Sequence, residues 1–309
     1  MSDRPYIIRN YRTEEFDKLV HLGAEAGEIE QTCRTPVQDL LENLGLPNHF
    51  PENDLFVAEK AGKIMGYVDV MPELHIRRAV LNYLIHPHHR GKDFVKRLVE
   101  RAIHRARELR AKIAHVDIPQ DSAMAKRLFS KMGFRSVRRF LELRLDLSEA
   151  PLPNINRTAF LCRRLRRGEE DKLTKVQNRS FINTWGYNPN TIEEIRYRTS
   201  LPNYSPENII LCWNAGRPVG YCWTNIKLMK DKITNGGKGR IYMLGVDPDH
   251  RGKGLARQVL LAGLSHLKDK GIRIVELTVD SDNKIALTLY KSMGFKVWTD
   301  SLWYEKVLD

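Results

Sequence analysis

The chain has 309 residues, 42% of them hydrophobic and 29% charged, a balance that excludes disorder and fits a core-forming protein. At the usual ~150 residues per domain this length accommodates two domains, and no run approaches the ~20 apolar residues of a membrane span. Lysine plus arginine exceeds aspartate plus glutamate by 13, split unevenly as +3 up to residue 149 and +10 beyond it. The excess favours a polyanionic partner without choosing among nucleic acid, acidic membrane and a phosphate-rich cofactor. Met1 to Pro5 lead into no apolar signal core, so export is not expected. Cys33, Cys162, Cys212 and Cys222 are scattered without a C-x-x-C pair. Neither a disulfide framework nor a zinc site is expected, and a reducing cytoplasm is the default compartment.

In chain order, a short strand at Tyr6–Arg9 leads into a helix opened by acidic residues, as a helix N-terminus prefers. Strands are expected at Leu55–Lys60, Ile64–Val70 and Ala79–Ile85, the last running into Arg90-Gly91-Lys92. Val95, Leu98, Val99, Ala102, Ile103 and Ala106 then recur at helical spacing. The pattern returns after a proline-bearing linker, Ser148 to Asn154. Phe160–Arg164 matches the first strand, Ile209–Trp213 and Pro218–Ile226 the next two, and Arg240–Val246 runs into Arg251-Gly252-Lys253. Ala256, Val259, Leu260, Gly263, Leu264 and Leu267 repeat the helix. Lys131-Met132-Gly133-Phe134 returns as Ser292-Met293-Gly294-Phe295, and Arg9 with Glu14-Glu15 matches Arg164 with Glu169-Glu170. A strand at Ile274–Val279, a short helix and the segment Lys296–Val307, expected to close the second copy's sheet, complete the chain. The expected organisation is α/β: one module written twice, 1–148 and 156–309, joined by 149–155.

The chemistry concentrates in Gly245 to Ala256. A strand ends, a glycine-containing loop turns and a long helix begins, leaving backbone N–H groups unpaired where the helix dipole is positive. Gly252, Gly254 and Ala256 would let phosphate oxygens approach the backbone. Neither a Walker loop nor a Rossmann fingerprint is present. A second signature follows, Asn283-x-x-Ala286-x-x-x-Tyr290-x-x-x-Gly294-Phe295.

Together these segments resemble the GNAT superfamily, the acetyl-CoA-dependent N-acetyltransferases, and the tandem arrangement resembles the mycothiol synthase family within it. The resemblance covers both halves. It implies two tandem GNAT domains, each a twisted mixed sheet of about six or seven strands flanked by helices, with two central parallel strands splayed around the pantetheine arm. It further implies an acetyl-CoA pyrophosphate cradle at Arg251, Gly252, Lys253, Gly254, Leu255 and Ala256. Leu244 and Val246 would hold the pantetheine, Asn283 and Ala286 would lie along the cofactor arm, and Tyr290 would be the general acid. The sequence departs from the family pattern at Arg240, where the family has a catalytic glutamate, and at Thr278, where it has a tyrosine. A guanidinium cannot take a proton from an ammonium substrate. Glu276 and Asp280, alternating on one strand face, are the possible bases, with a water chain equally open.

In the first copy Asp93 stands at the Gly254 position and Phe129 at the Tyr290 position, so that copy is expected to be degenerate. The expected function is transfer of acetyl to a primary amine of a small molecule or peptide by direct attack. Two other readings stand beside it: a non-catalytic acyl-CoA sensor or interaction module, and a ribosome- or RNA-directed acetyltransferase. No metal, no membrane and no nucleic acid partner are expected. His86, His88 and His89 read as a loop cluster, and Arg163-Arg164 with Arg166-Arg167 as a solvated strand edge. The basic stretch Lys230–Arg240 is either a closing loop or a solvated one. Trp185 to Pro189 either shapes the acceptor site or anchors a core.

Overall fold

The computed structural model describes residues 5–30, 40, 42–91, 93–149, 152, 160–227 and 237–308. The chain forms two compact units, one of residues 1–138 with 301–309 and the other of residues 139–300. This division differs from the sequence repeat, whose boundary falls at 149–155; of that linker only Glu149 and Leu152 lie within the described residues.

In the first unit the strands are β1 (Ile7–Asn10), β2 (Leu55–Lys60), β3 (Lys63–Glu73), β4 (Arg78–Ile85) and β5 (Ile113–Pro119). They lie side by side in that order, and Ser301–Val307, the second part of β12 (Lys296–Val307), adds antiparallel to β5. Helix α1 (Phe16–Glu30) packs on one face of the sheet, through Leu19 and Leu22 against Val57 and Tyr67. Helix α2 (Asp93–Glu108) packs on the other, burying Leu98, Val99 and Ala102 against Val68 and Val116, joined there by α3 (Ala123–Lys131).

The second unit repeats the plan with β7 (Leu161–Arg164), β8 (Ile209–Asn214), β9 (Arg217–Lys227), β10 (Lys238–Val246) and β11 (Ile274–Asp280). Its sixth strand is the Arg139–Asp146 part of β6 (Arg135–Asp146), antiparallel to β11. Helices α4 (Glu170–Phe181) and α5 (Ile192–Ser200) cover one face; α6 (Leu255–Asp269) and α7 (Lys284–Ser292) cover the other. Each unit therefore takes its sixth strand from the far half of the sequence. The expectation that Lys296–Val307 closes the second copy's sheet is corrected here. Both copies end in a strand of equivalent position, and period-two apolar patterning fixes which face is buried but not which neighbour is paired.

Each unit also opens on the same ion pair. Arg9 grips Glu15 at two points, 2.7 and 2.6 Å, and Arg163 grips Glu169 at 2.7 and 2.8 Å. The residue equivalent to Arg9 is thus Arg163 rather than Arg164. Arg163 also stacks on Trp213 at 4.2 Å, so it serves the fold. A further correction concerns the cysteines. Cys162 on β7 and Cys212 on β8 are directly opposite in register and joined as a disulfide, a pairing 50 residues apart that no local motif announces. Among the described residues no helix is long and apolar enough to cross a membrane.

Two outcomes follow from this architecture. Residues 139–300 expressed alone should unfold cooperatively in urea. The sequence-repeat half 156–309 lacks Arg139–Asp146 and carries Ser301–Val307 without β5, and should aggregate or lose cooperativity; circular dichroism of the two fragments decides. In the intact chain the Arg9 and Arg163 hydrogen bonds hold the Glu15 and Glu169 carboxyls down from the ordinary 4.5 to about 2. Their contribution to stability is therefore complete above ~4.5 and is lost as the pH falls towards ~2. Glu169→Gln should flatten that part of the urea-midpoint profile; an unchanged slope would show that the pair contributes nothing.

Candidate active site

The second unit contains a break in its sheet. β10 and β11 run parallel but pair only from Lys238–Arg240 to Ile274–Glu276. β10 continues to Val246 and β11 to Asp280 without a ladder between them. A register shift between Ile241 and Met243 bends β10 at this point, as a bulge does. The Asp247 N–H donates to Val219 O at 2.9 Å across the β9 side. N–H directions alternate along a strand, so those of Val246 and Leu244 face the gap. They form a short row of free donors on an inner strand edge, the surface an extended amide-bearing chain pairs with. Gly245 permits this strand to lie close under α4: a Cβ there would stand 2.6 Å from the Tyr221 ring and 2.7 Å from Ser180 Cβ.

The gap ends at a glycine corner. Gly252 and Gly254 have φ of +75° and +76°, and no atom lies within 4 Å of the position a Cβ would take. Gly254 is the N-cap of α6 and supplies no side-chain acceptor, so the first-turn N–H groups are uncapped. The side chains around the corner brace it. Arg251 turns back to Val246 O at 3.3 Å and Ser180 O at 2.8 Å, and Lys253 reaches Asp249 O at 3.1 Å. Asp247 accepts from Arg179 at 2.6 Å and from Asp249 N at 3.0 Å, and the guanidinium holds its carboxyl below the ordinary range. Leu255 is buried and Ala256 half-buried, leaving their backbone as the part that faces outward.

Asn283 is the N-cap of α7, its side chain accepting from Ala286 N at 3.1 Å. This capping role was hidden in the motif. Tyr290, four residues beyond Ala286, is buried beside Leu287, Met293 and Phe295, and burial pushes its phenol up, so it stays protonated.

Strand parity defines the opposite face of the gap. Val275, Leu277 and Val279 of β11 and Leu141, Leu143 and Leu145 of β6 point into the α6–α7 core. Glu276, Thr278, Asp280, Phe140, Glu142 and Arg144 therefore point the other way. Arg240 joins them, since Gly239 and Ile241 on either side of it face α6. On this face Arg144 and Glu276 form an ion pair at 2.7 Å, with Arg144 stacked on Trp298 at 3.8 Å. Asp280 accepts from Asp282 N at 2.9 Å. Arg240 donates to Thr278 Oγ1 at 2.5 Å and lies 3.8 Å from the Glu142 carboxylate. Glu142, Arg144 and Trp298 escaped sequence reasoning because two of them come with the exchanged strand.

Trp185 packs near Phe140 on this unit at 6.1 Å, while Tyr187 stacks on Phe181 and bonds Asn178 at 2.7 Å, a core anchor. His89 is bound to the Tyr6 hydroxyl at 2.6 Å. Lys230 to Gly236, most of the basic stretch singled out in the sequence, lies outside the described residues.

The first unit keeps the frame and lacks the parts. β4 and β5 pair only from Arg78–Val80 to Ile113–His115, and Arg90 turns back to Ile85 O at 3.3 Å, as Arg251 does to Val246. Asp93, however, opens α2 where Gly254 caps α6, and Phe129 is buried where Tyr290 stands.

The family model described as Acetyltransferase (GNAT) family matches residues 21–134 and again 171–295. A protein of Thermomonospora curvata named mycothiol acetyltransferase is 32% identical over 79% of this chain and 79% of its own length. A mycothiol acetyltransferase of Acidothermus cellulolyticus is 29% identical over 82% and 79%. Among solved structures, a GCN5-related N-acetyltransferase from Sphaerobacter thermophilus superposes with a TM-score of 0.74 at 21% identity, covering 100% of this chain and 97% of that one. A tandem GNAT protein from the clavulanic acid biosynthesis pathway gives 0.73 at 16% identity over 99% of both; these two likenesses concern the fold.

Proposed function

Since the chain belongs to the acetyltransferase (GNAT) family, we propose that its residues 139–300 perform the transfer and that the first unit, with Asp93 and Phe129, does not. The enzyme is an acetyl-CoA-dependent N-acetyltransferase acting on an amine. The observation that carries the placement is the three-pair ladder of β10 and β11, which opens onto free Leu244 and Val246 donors and ends at the uncapped α6 N-terminus. In this reading the backbone from Arg251 to Ala256 receives the pyrophosphate of acetyl-CoA. Leu244 and Val246 bond its amide-bearing arm and the thioester carbonyl. A donor at that carbonyl is worth ~3 kcal/mol as charge develops on the oxygen.

The amine approaches from the face carrying Arg240 and Thr278. Its nitrogen attacks the carbonyl carbon, the C–N bond forms, the C–S bond breaks, and the departing thiolate takes the Tyr290 proton. Burial raises a thiolate's proton affinity as it raises the phenol's, so the two remain matched within the same apolar surround. Glu276 is held by Arg144 and Asp280 by its turn, so water is the better first acceptor for the ammonium proton, with either carboxylate behind it. A small-molecule acceptor of the mycothiol type is a second reading, supported by the names of the relatives. The acetyl-CoA requirement fits the cytoplasm.

Calorimetric titration should find one tight acetyl-CoA site per chain, lost in Gly254→Asp, where a carboxylate meets the phosphates at a cost of ~1–4 kcal/mol per charge pair. Two equal sites would return the first unit to the reaction. Tyr290→Phe should lower kcat by ~10²-fold with acetyl-CoA affinity kept; an undiminished kcat would make Tyr290 a packing residue only.

A further inference from the structure

The acceptor face carries two arginine–carboxylate neighbours that differ in one respect. Arg144 and Glu276 are closed upon each other at 2.7 Å, and the guanidinium is further covered by Trp298. Arg240 and Glu142 stand apart at 3.8 Å, beyond hydrogen-bond distance. Of the five N–H groups of the Arg240 guanidinium, one goes to the Thr278 hydroxyl at 2.5 Å. Its side chain is 31% exposed, and Glu142, at 17%, forms no other ion pair among the described residues. Glu142 holds a cation in place without using its donors.

The position of this cation matters. Glu276 is the β11 residue paired with Arg240, and Thr278 lies two residues farther along β11, past the last ladder pair and inside the gap. Bonding to Thr278 therefore draws the guanidinium into the gap and towards the level of Leu244. On this register roughly two residues, or ~6–7 Å, separate the two levels. A group bound at Arg240 is then several bonds from a nitrogen that attacks at Leu244, more than the two bonds between the amine and carboxyl carbon of an α-amino acid.

From these facts we infer that Arg240, with the Thr278 hydroxyl, reads a carboxylate on the acceptor, so that the substrate class is an amine bearing a remote acid, such as an ω-amino acid or a dipeptide. The inference rests on the active-site reading above and names its acceptor. A planar guanidinium fork matches carboxylate geometry, and the Thr278 hydroxyl has a proton to give to the second oxygen. Glu142 and Glu276 on the same face oppose a dianion, which selects the singly charged carboxylate over a phosphate monoester.

The test uses the full chain saturated with CoA, titrated calorimetrically with glycine, β-alanine, γ-aminobutyrate, glycylglycine, the carboxamide of each, and phosphoethanolamine. The same compounds are assayed for thiol release from acetyl-CoA. The remote acids should exceed their carboxamides by about 10- to 100-fold in affinity and in kcat/KM, the worth of a charged hydrogen bond. The ratio should fall to near one in Arg240→Gln and recover in part in Arg240→Lys, with acetyl-CoA binding serving as the control for folding. Glu142→Gln should improve phosphoethanolamine relative to γ-aminobutyrate, a change no loss of packing would produce. Equal use of acids and carboxamides, binding of none of these acids, a preference for glycine over the longer acids, or a ratio that survives Arg240→Gln would each overturn the inference. Carboxylate-selective binding without any acetyl transfer would instead keep the Arg240 assignment and overturn the active-site reading.

Discussion

Everything proposed for this chain depends on the point where β10 leaves β11. Two parallel strands that stayed paired to their ends would satisfy each other's backbone and offer nothing to a ligand. The ladder stops after Arg240, the bulge turns the strand, and Leu244 and Val246 keep donors that water or a substrate must satisfy. The cost of leaving them free is tolerable only because the sheet is buried on both faces and anchored on both sides of the gap, by β9 against β10 and by β6 against β11. The glycine corner extends the same principle: α6 starts without a side-chain cap, and its orphan N–H groups become a place for anionic oxygen.

Duplication preserved this frame and let its contents diverge. The first unit retains the three-pair ladder and the arginine that turns back onto its strand, features that a sheet of this curvature needs to hold together. It has lost the glycine and the phenol, which stability does not require. The parts that persist in both copies are those that hold the backbone, and the parts found in only one are those assigned to chemistry. That contrast separates architecture from activity more sharply than either copy would alone.

Much of this was legible in the residues. The strands and the two long helices fall where alternation and helical spacing put them, and the corner at Gly252 and Gly254 was visible because it is a local motif whose backbone geometry only glycine adopts at little cost. Tyr290 was visible for the same reason. What could not be read were relations between distant segments. Arg240 is recognisable as a cation in the sequence, yet its neighbour Glu142 belongs to the other copy's last strand, and nothing in either stretch names the other. Cys162 and Cys212 likewise meet only because β7 and β8 pair in one register. Asn283 shows the converse error: the motif was seen, but its capping of α7 is a structural task that the pattern does not distinguish from ligand contact.

The exchanged strands also set an order of assembly. Contacts between β5 and Ser301–Val307, such as that of His115 with Glu305, join residues 190 positions apart. A nascent chain therefore emerges with its first sheet one strand short, and the edge of β5 waits exposed while the whole second unit is synthesised. Domains ordinarily fold one after another as they leave the ribosome, and long-range pairing is slow to form. Here the amino-terminal unit is the one completed last. During synthesis the open β5 edge is the segment most in need of protection from other strands, and the protein's yield in a cell depends on how long that edge stays uncovered.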